Sequence, residues 1–200
     1  MPHSPLIRLA GPLCISASVL IVLSQLLRLG LGLLSGLSSR STPTHTVTYA
    51  VALLGMGALL LALTALYTRE ATALGRLGLA GYLTAFLGTL LVAGDWWFEA
   101  FVVPAIATQA PEILSGSPGW SVLAGAVTTI AFFAIGWTLF GIAVFRTRVF
   151  GRPAAVLLIV GGLTGVLTLS TPWQVPLAVA VGWIGVGLSR SEAVESGDQG

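Results

Sequence analysis

The sequence predicts an all-α protein, a polytopic transmembrane bundle of six helical spans with both termini in the cytoplasm. Three observations carry that expectation. Of 200 residues, 56% are hydrophobic and only 8% are charged, against about 25% charged in a typical soluble domain. The mean hydropathy is +0.96. A chain of this kind lacks the polar surface to cover a water-exposed globule, so lipid must cover it instead. Finally, the arginines segregate to one side of the apolar segments.

Six apolar segments lie between polar breaks: Leu9–Leu37, Val47–Tyr67, Leu77–Ala107, Trp120–Phe145, Ala154–Leu169 and Trp173–Leu188. A span needs roughly 17–25 residues. The first, third and fourth exceed this, so they tilt or protrude. The fifth and sixth are short and joined by Ser170-Thr171-Pro172, which reads as a helical hairpin. A five-span arrangement with one re-entrant hairpin is the alternative. The first segment is too long for a signal peptide, and no small-x-small site follows it, so it is expected to stay as an anchor. The expected organisation is one domain over residues 1–190 and a polar, acidic, disordered cytoplasmic tail over 191–200.

All nine basic residues are Arg, and the chain has neither Lys nor Asn. A GC-rich bacterial genome explains this. Arg8, Arg69, Arg76, Arg146, Arg148, Arg152 and Arg190 fall on one side if there are six spans, and only Arg40 falls in a loop on the other. Positive charge marks the cytoplasmic side. The expectation is therefore a multi-pass protein of the cell (inner) membrane, with both termini inside.

Several classes are excluded or disfavoured. The arginines are scattered among loops and form no nucleic-acid footprint. The single Cys14 permits no internal disulfide and no CxxC pair. His3 and His45 lie outside the apolar segments, so bis-histidine haem ligation within the bundle is excluded and a His-rich metal site is not expected. No metal and no cofactor is expected. No P-loop, GxSxG or HExxH motif occurs.

Glycine is frequent, at 25 residues. Small residues mark close helix approach in lipid. Gly32-x-x-x-Gly36 and Gly161-x-x-x-Gly165 fit that pattern, and simple packing explains both. In the first segment, Cys14, Ser18, Ile21, Gln25, Arg28, Gly32 and Ser35 alternate by four and three, forming one helix stripe. That stripe should face other helices.

The stretch AGDWWFEAFVVP, residues 93–104, places Asp95 and Glu99 one turn apart on a shared face. Depth follows from ~1.5 Å of rise per residue above the cytoplasmic arginines. Arg28 then lies ~30 Å above Arg8, Asp95 ~28 Å above Arg76, and Glu99 ~6 Å higher again. Three charged groups from two helices thus meet at the outer hydrocarbon edge. Arg28 is expected to neutralise one or both acids, since its planar fork suits carboxylates. Gln25 and Gln174 are candidates to complete its hydrogen bonds, and Thr128 reaches a similar depth. Trp96 and Trp97 point in different directions, one to lipid and one towards the cluster. Trp120 and Trp173 share that level as an aromatic belt. Pro104 should kink or end the helix, and the loop TQAPEILSGSPGW connects it onward or covers the site.

Intramembrane charges are costly, so the cluster is either an ion-pair lock or a site. As a site it would bind a small amphiphile or lipid through Gln25, Arg28, Trp96, Trp97 and Gln174. An enzyme would use Asp95 and Glu99 as catalytic acids on an isoprenoid or lipid, as membrane terpene cyclases do. A transporter or channel subunit is a third reading. Membrane lipid is the expected partner, with no nucleic acid. In topology and composition, along most of its length, the chain resembles uncharacterised six-span bacterial membrane proteins. That resemblance implies location and architecture.

Overall fold

The computed structural model describes residues 5–34, 40–165 and 174–197. Among them the regular elements are all helices: α1 (Pro5–Arg8), α2 (Ala10–Leu34), α3 (Pro43–Phe101), α4 (Val103–Gln109), α5 (Pro111–Ser115), α6 (Trp120–Thr147), α7 (Arg152–Thr164) and α8 (Val175–Gly197). Three stretches are long and apolar enough to cross a membrane: Ala10–Gly30, Pro43–Gln109 and Trp120–Thr147. Arg152–Thr164 and Val175–Ser191 are shorter apolar helices.

The longest helix, α3, is two arms. Its backbone leaves helical geometry at Glu70 and at Gly75, where φ is +59° and ψ is −155°. An L side chain is strained in that conformation, and glycine is not. The chain therefore folds back between arms of residues 43–69 and 76–101. Tyr67 stacks on Tyr82 with ring centroids 4.4 Å apart, beside the turn. At the far end His45 meets Glu99. The arms thus run antiparallel over their whole length.

The helices close into a ring. α2 packs on α3 and α8, α3 on α6, α6 on α7, and α7 on α8. Gly55 of the first arm faces Ile21 of α2, while Gly81 and Gly88 of the second arm face Phe140 and Phe133 of α6. The order around the ring is therefore α2, first arm, second arm, α6, α7, α8. Phe133, Trp137 and Phe140 of α6 are fully buried at its centre, with Met56, Leu59, Leu158 and Leu177 from neighbouring helices. Large apolar side chains also cover the outside, among them Val19, Leu26, Leu54, Leu83 and Val156.

Close backbone approach makes the tightest of these contacts. A Cβ on Gly81 would lie 2.5 Å from the Phe140 nitrogen, and Gly88 and Gly136 sit directly on the backbones of Phe133 and Ala85. Their spacing of seven, not four, follows the heptad of helices crossing at a shallow angle. Gly161 packs on Leu177 of α8, so the first glycine of that GxxxG pair does sit at an interface. Gly36 of the other pair lies outside the described residues, as do Ser35, Trp173 and the turn Ser170-Thr171-Pro172.

The two ends of the ring differ. Arg69 and Glu70 at the α3 turn, Val149 and Phe150 after α6, and Leu188 and Ser191 of α8 line one cleft, so these three regions share one end. The third apolar segment stays helical past Ala107 as far as Gln109, with one irregular residue at Val102; Pro104 lacks the N–H to continue the ladder and occupies the first turn of α4. At its C-terminal end α8 is helical as far as Gly197, and Ser191 Oγ donates to the Leu188 carbonyl.

Candidate functional site

The end of the ring opposite the α3 turn carries the polar cluster. Its position is set by how the first arm begins. Thr42 caps that arm, with the His45 backbone N–H 3.4 Å from Thr42 Oγ1, and Pro43 supplies a pre-set φ in the first turn. This fixes His45 and Tyr49 one turn apart on one face. Their rings lie 4.6 Å apart, tilted by 42°.

His45 is buried and reaches across to the second arm. Its Nε2 is 3.3 Å from Glu99 Oε2 and 3.1 Å from the Glu99 carbonyl oxygen. Both are acceptors, so the ring carries its proton on Nε2. The carbonyl belongs to the last turn of the arm, where intrahelical donors run out. One imidazole thus ties down both a side chain and a helix end.

Arg28 of α2 does not clasp either acid. No ion pair within 4.0 Å joins it to Asp95 or Glu99 among the described residues. Its guanidinium carbon lies over the Tyr49 ring, 5.4 Å from the centroid, a cation–π placement. The contacts therefore run in series: Arg28 on Tyr49, Tyr49 on His45, His45 on Glu99. The direct Arg28–carboxylate pair expected from depth alone is replaced by this relay, because aromatic rings fill the space between α2 and the second arm.

The other predicted residues divide. Asp95 is exposed, next to Gly94, where an added Cβ would meet nothing within 4 Å. Trp96 is 3% exposed and Trp97 is 52% exposed, so Trp96 joins the core and Trp97 faces outward. Gln25 and Gln174 are both buried and bond each other, Nε2 of Gln25 donating to Oε1 of Gln174 at 2.9 Å. That bond ties α2 to the start of α8 and leaves Gln25 Oε1 and Gln174 Nε2 unpartnered. Neither amide completes the hydrogen bonding of Arg28. Thr128 is exposed and donates to the Ala124 carbonyl, away from the cluster.

The segment after α3 does not cover the site. Residues 108–120 are almost all exposed, and α5 packs only on α4. It serves as a connection. Beyond it, residues 120–128 of α6 are exposed on every face, so the outer third of α6 stands apart from its neighbours.

His45 and Tyr49 are the members that sequence reasoning missed. His45 lies just before the second apolar run and Tyr49 in its first turn, so a search for charges within apolar runs passes over both. Among the described residues, no group of three or more His, Cys, Asp or Glu is placed to hold a metal ion.

Fold and site together define an all-α bundle with three membrane-capable helices and a polar aromatic cluster at one end. No family model matches the sequence, and no curated protein or solved structure matches it.

Proposed function

We propose that this chain is a six-span protein of the bacterial inner membrane, with both termini cytoplasmic, that binds a small zwitterionic amphiphile at its outer end. The arginine distribution and the convergence of the α3 turn, the α6–α7 turn and the end of α8 on one cleft support the topology. The observation that carries the binding reading is the uncommitted Arg28. A structural lock would close the guanidinium on a carboxylate, because leaving both charges apart at the membrane edge is costly. Here Arg28 rests on Tyr49 and Asp95 is exposed, with no ion pair between them among the described residues. A head group carrying an anion and an ammonium satisfies both, the anion on Arg28 and the ammonium on Asp95. Trp97 and the open position at Gly94 border the path of the tail.

Acid catalysis on an isoprenoid fits less well. Glu99 is engaged by His45, and Asp95 faces the surface instead of an enclosed apolar chamber.

Thermal stabilisation by a lyso-phosphatidylethanolamine tests the proposal. The wild type is expected to gain several degrees over a fatty alcohol of equal chain length, about what ligand at 100 times its Kd provides. Arg28→Gln and Asp95→Asn should each lose that gain while keeping the unliganded melting point. Equal stabilisation by the alcohol, or an undiminished gain in both variants, sinks the proposal.

A further inference from the structure

Away from the polar cluster, a groove runs along the outside of the bundle between α2 and α8. Ile15, Ser18 and Val19 form one wall, and Val179, Gly182, Trp183, Val186, Gly187 and Arg190 form the other. Its volume is about 620 Å³. Apart from Ser18 and Arg190, its lining side chains carry no charge or hydroxyl. Trp183 is 61% exposed beside it, and a Cβ added at Gly187 would meet nothing within 4 Å. Gly182 packs on Ser18, where an added Cβ would lie 2.5 Å from its Oγ, so the two helices meet beneath the groove and open space lies above them at Gly187.

Two features identify the occupant. From Val179 to Arg190 the groove follows eleven residues of α8, ~16 Å of rise, which is about half of a ~30 Å hydrocarbon core. It is one leaflet long. At its far end stands Arg190, exposed and without an ion pair among the described residues. Part-way along it, Trp183 and Gly187 also border the polar cleft of about 350 Å³ lined by the Arg69–Glu70 pair and Ser191. An apolar slot of one-leaflet length thus carries a cation at one end and flanks a polar cleft.

We infer that this groove is a specific site for one anionic phospholipid of the inner leaflet. The acyl chain lies along Ser18 and Gly182, and the phosphate sits on Arg190. Charge complementarity selects an anionic head over a zwitterionic one, because among the described residues no carboxylate pairs with Arg190. The site is remote from Arg28 and shares no residue with the outer cluster. It rests on the bundle lying in a membrane with Arg190 at the inner face.

Native mass spectrometry of the full chain in detergent tests this without depending on orientation. The probes are phosphatidylglycerol, phosphatidylcholine of matched chains, and inorganic phosphate. The wild type is expected to retain one phosphatidylglycerol about tenfold more tightly than phosphatidylcholine, the value of one charge-assisted contact. Phosphate alone should not bind, because it leaves the groove empty. Arg190→Gln should make the two lipids equal, and Gly187→Leu, which puts a side chain into the groove where an added Cβ meets nothing, should abolish both. Equal retention of the two lipids by wild type overturns the inference. So does a Gly187→Leu variant that keeps phosphatidylglycerol, or a dimer in place of bound lipid that the same variant dissociates. Failure of the wild type to gain stability from the amphiphile, with phosphatidylglycerol still retained, would count against the outer reading alone.

Discussion

His45 Nε2 stands 3.3 Å from Glu99 Oε2, joining the two far ends of one helical hairpin. The arms are already linked by the turn at Gly75, so this contact closes the opposite end. It also places Tyr49 beneath Arg28. His45→Ala removes the tie and leaves a carboxylate and a helix-end carbonyl without their donor. The expected loss is about 1 kcal/mol, because polar contacts in membrane proteins average below the value for buried charged pairs in water. His45→Gln, which keeps a donor, should restore part of it. Unfolding in a mixed-micelle titration reads the difference. A double-mutant cycle with Glu99→Gln should return a coupling of roughly 0.5–1.5 kcal/mol, and a coupling of zero would remove His45 from the site.

Much of the architecture was legible because long apolar runs in this sequence form helices. Apolar runs located α2, both α3 arms, α6 and the short pair α7 and α8, since backbone polar groups in lipid must pair within a helix. The stripe on α2 was legible for the same reason. Cys14, Ile21 and Gln25 are buried, whereas Val19, Leu23 and Leu26 face outward. What escaped was lateral. Depth along an axis says that Arg28 and Glu99 share a level, but not which side chain stands between them. Tyr49 occupies that place, and nothing in the spacing of charges announces a neutral ring. His45 was discounted for preceding its apolar run, yet a capped first turn carries it into the bundle. The direction of Trp96 against Trp97 turns on a rotation of about 100° per residue, which residue counting leaves open until a neighbour is known.

The second arm and α6 touch backbone to backbone at Gly88. Gly88→Leu must push the helices apart or distort both, at about 3 kcal/mol or more. The expected outcome is loss of the monodisperse folded species in size-exclusion chromatography. Gly94→Ala, on the same helix but facing open space, should elute as wild type. If both variants behave alike, close approach is not what joins α3 to α6.

Trp137 is fully buried, and its Nε1–H donates to Thr89 Oγ1 at 3.0 Å, while that hydroxyl donates to the Ala85 carbonyl at 2.7 Å. Thr89→Val keeps the volume and removes the acceptor, so the indole N–H is left dry. The cost should be about 1–2 kcal/mol. In a Trp137→Phe background the same substitution should cost much less, because no donor is left to orphan. Chemical unfolding of the four proteins checks this. Equal costs in both backgrounds would mean that the bond contributes nothing.

Alternating access of the helix ends separates six spans from the five-span arrangement. Cys14 is fully buried and should be silent to maleimide, so it serves as background. Thr72 in the turn between the α3 arms and Ser117 before α6 are both exposed, at ends that the six-span topology places on opposite sides. Ser117→Cys should react with an impermeant maleimide in intact cells, and Thr72→Cys only after the membrane is opened. A cysteine at Ser170 decides the remaining case. If the last two apolar segments cross fully, their connecting turn meets water outside, and Ser170→Cys reacts in intact cells. If they form a re-entrant hairpin, the turn stays within the bilayer, and Ser170→Cys is protected while Ser117→Cys still reacts. Labelling of Thr72→Cys from outside would reverse the orientation, place Arg190 in the outer leaflet, and leave the arginine asymmetry without its cause.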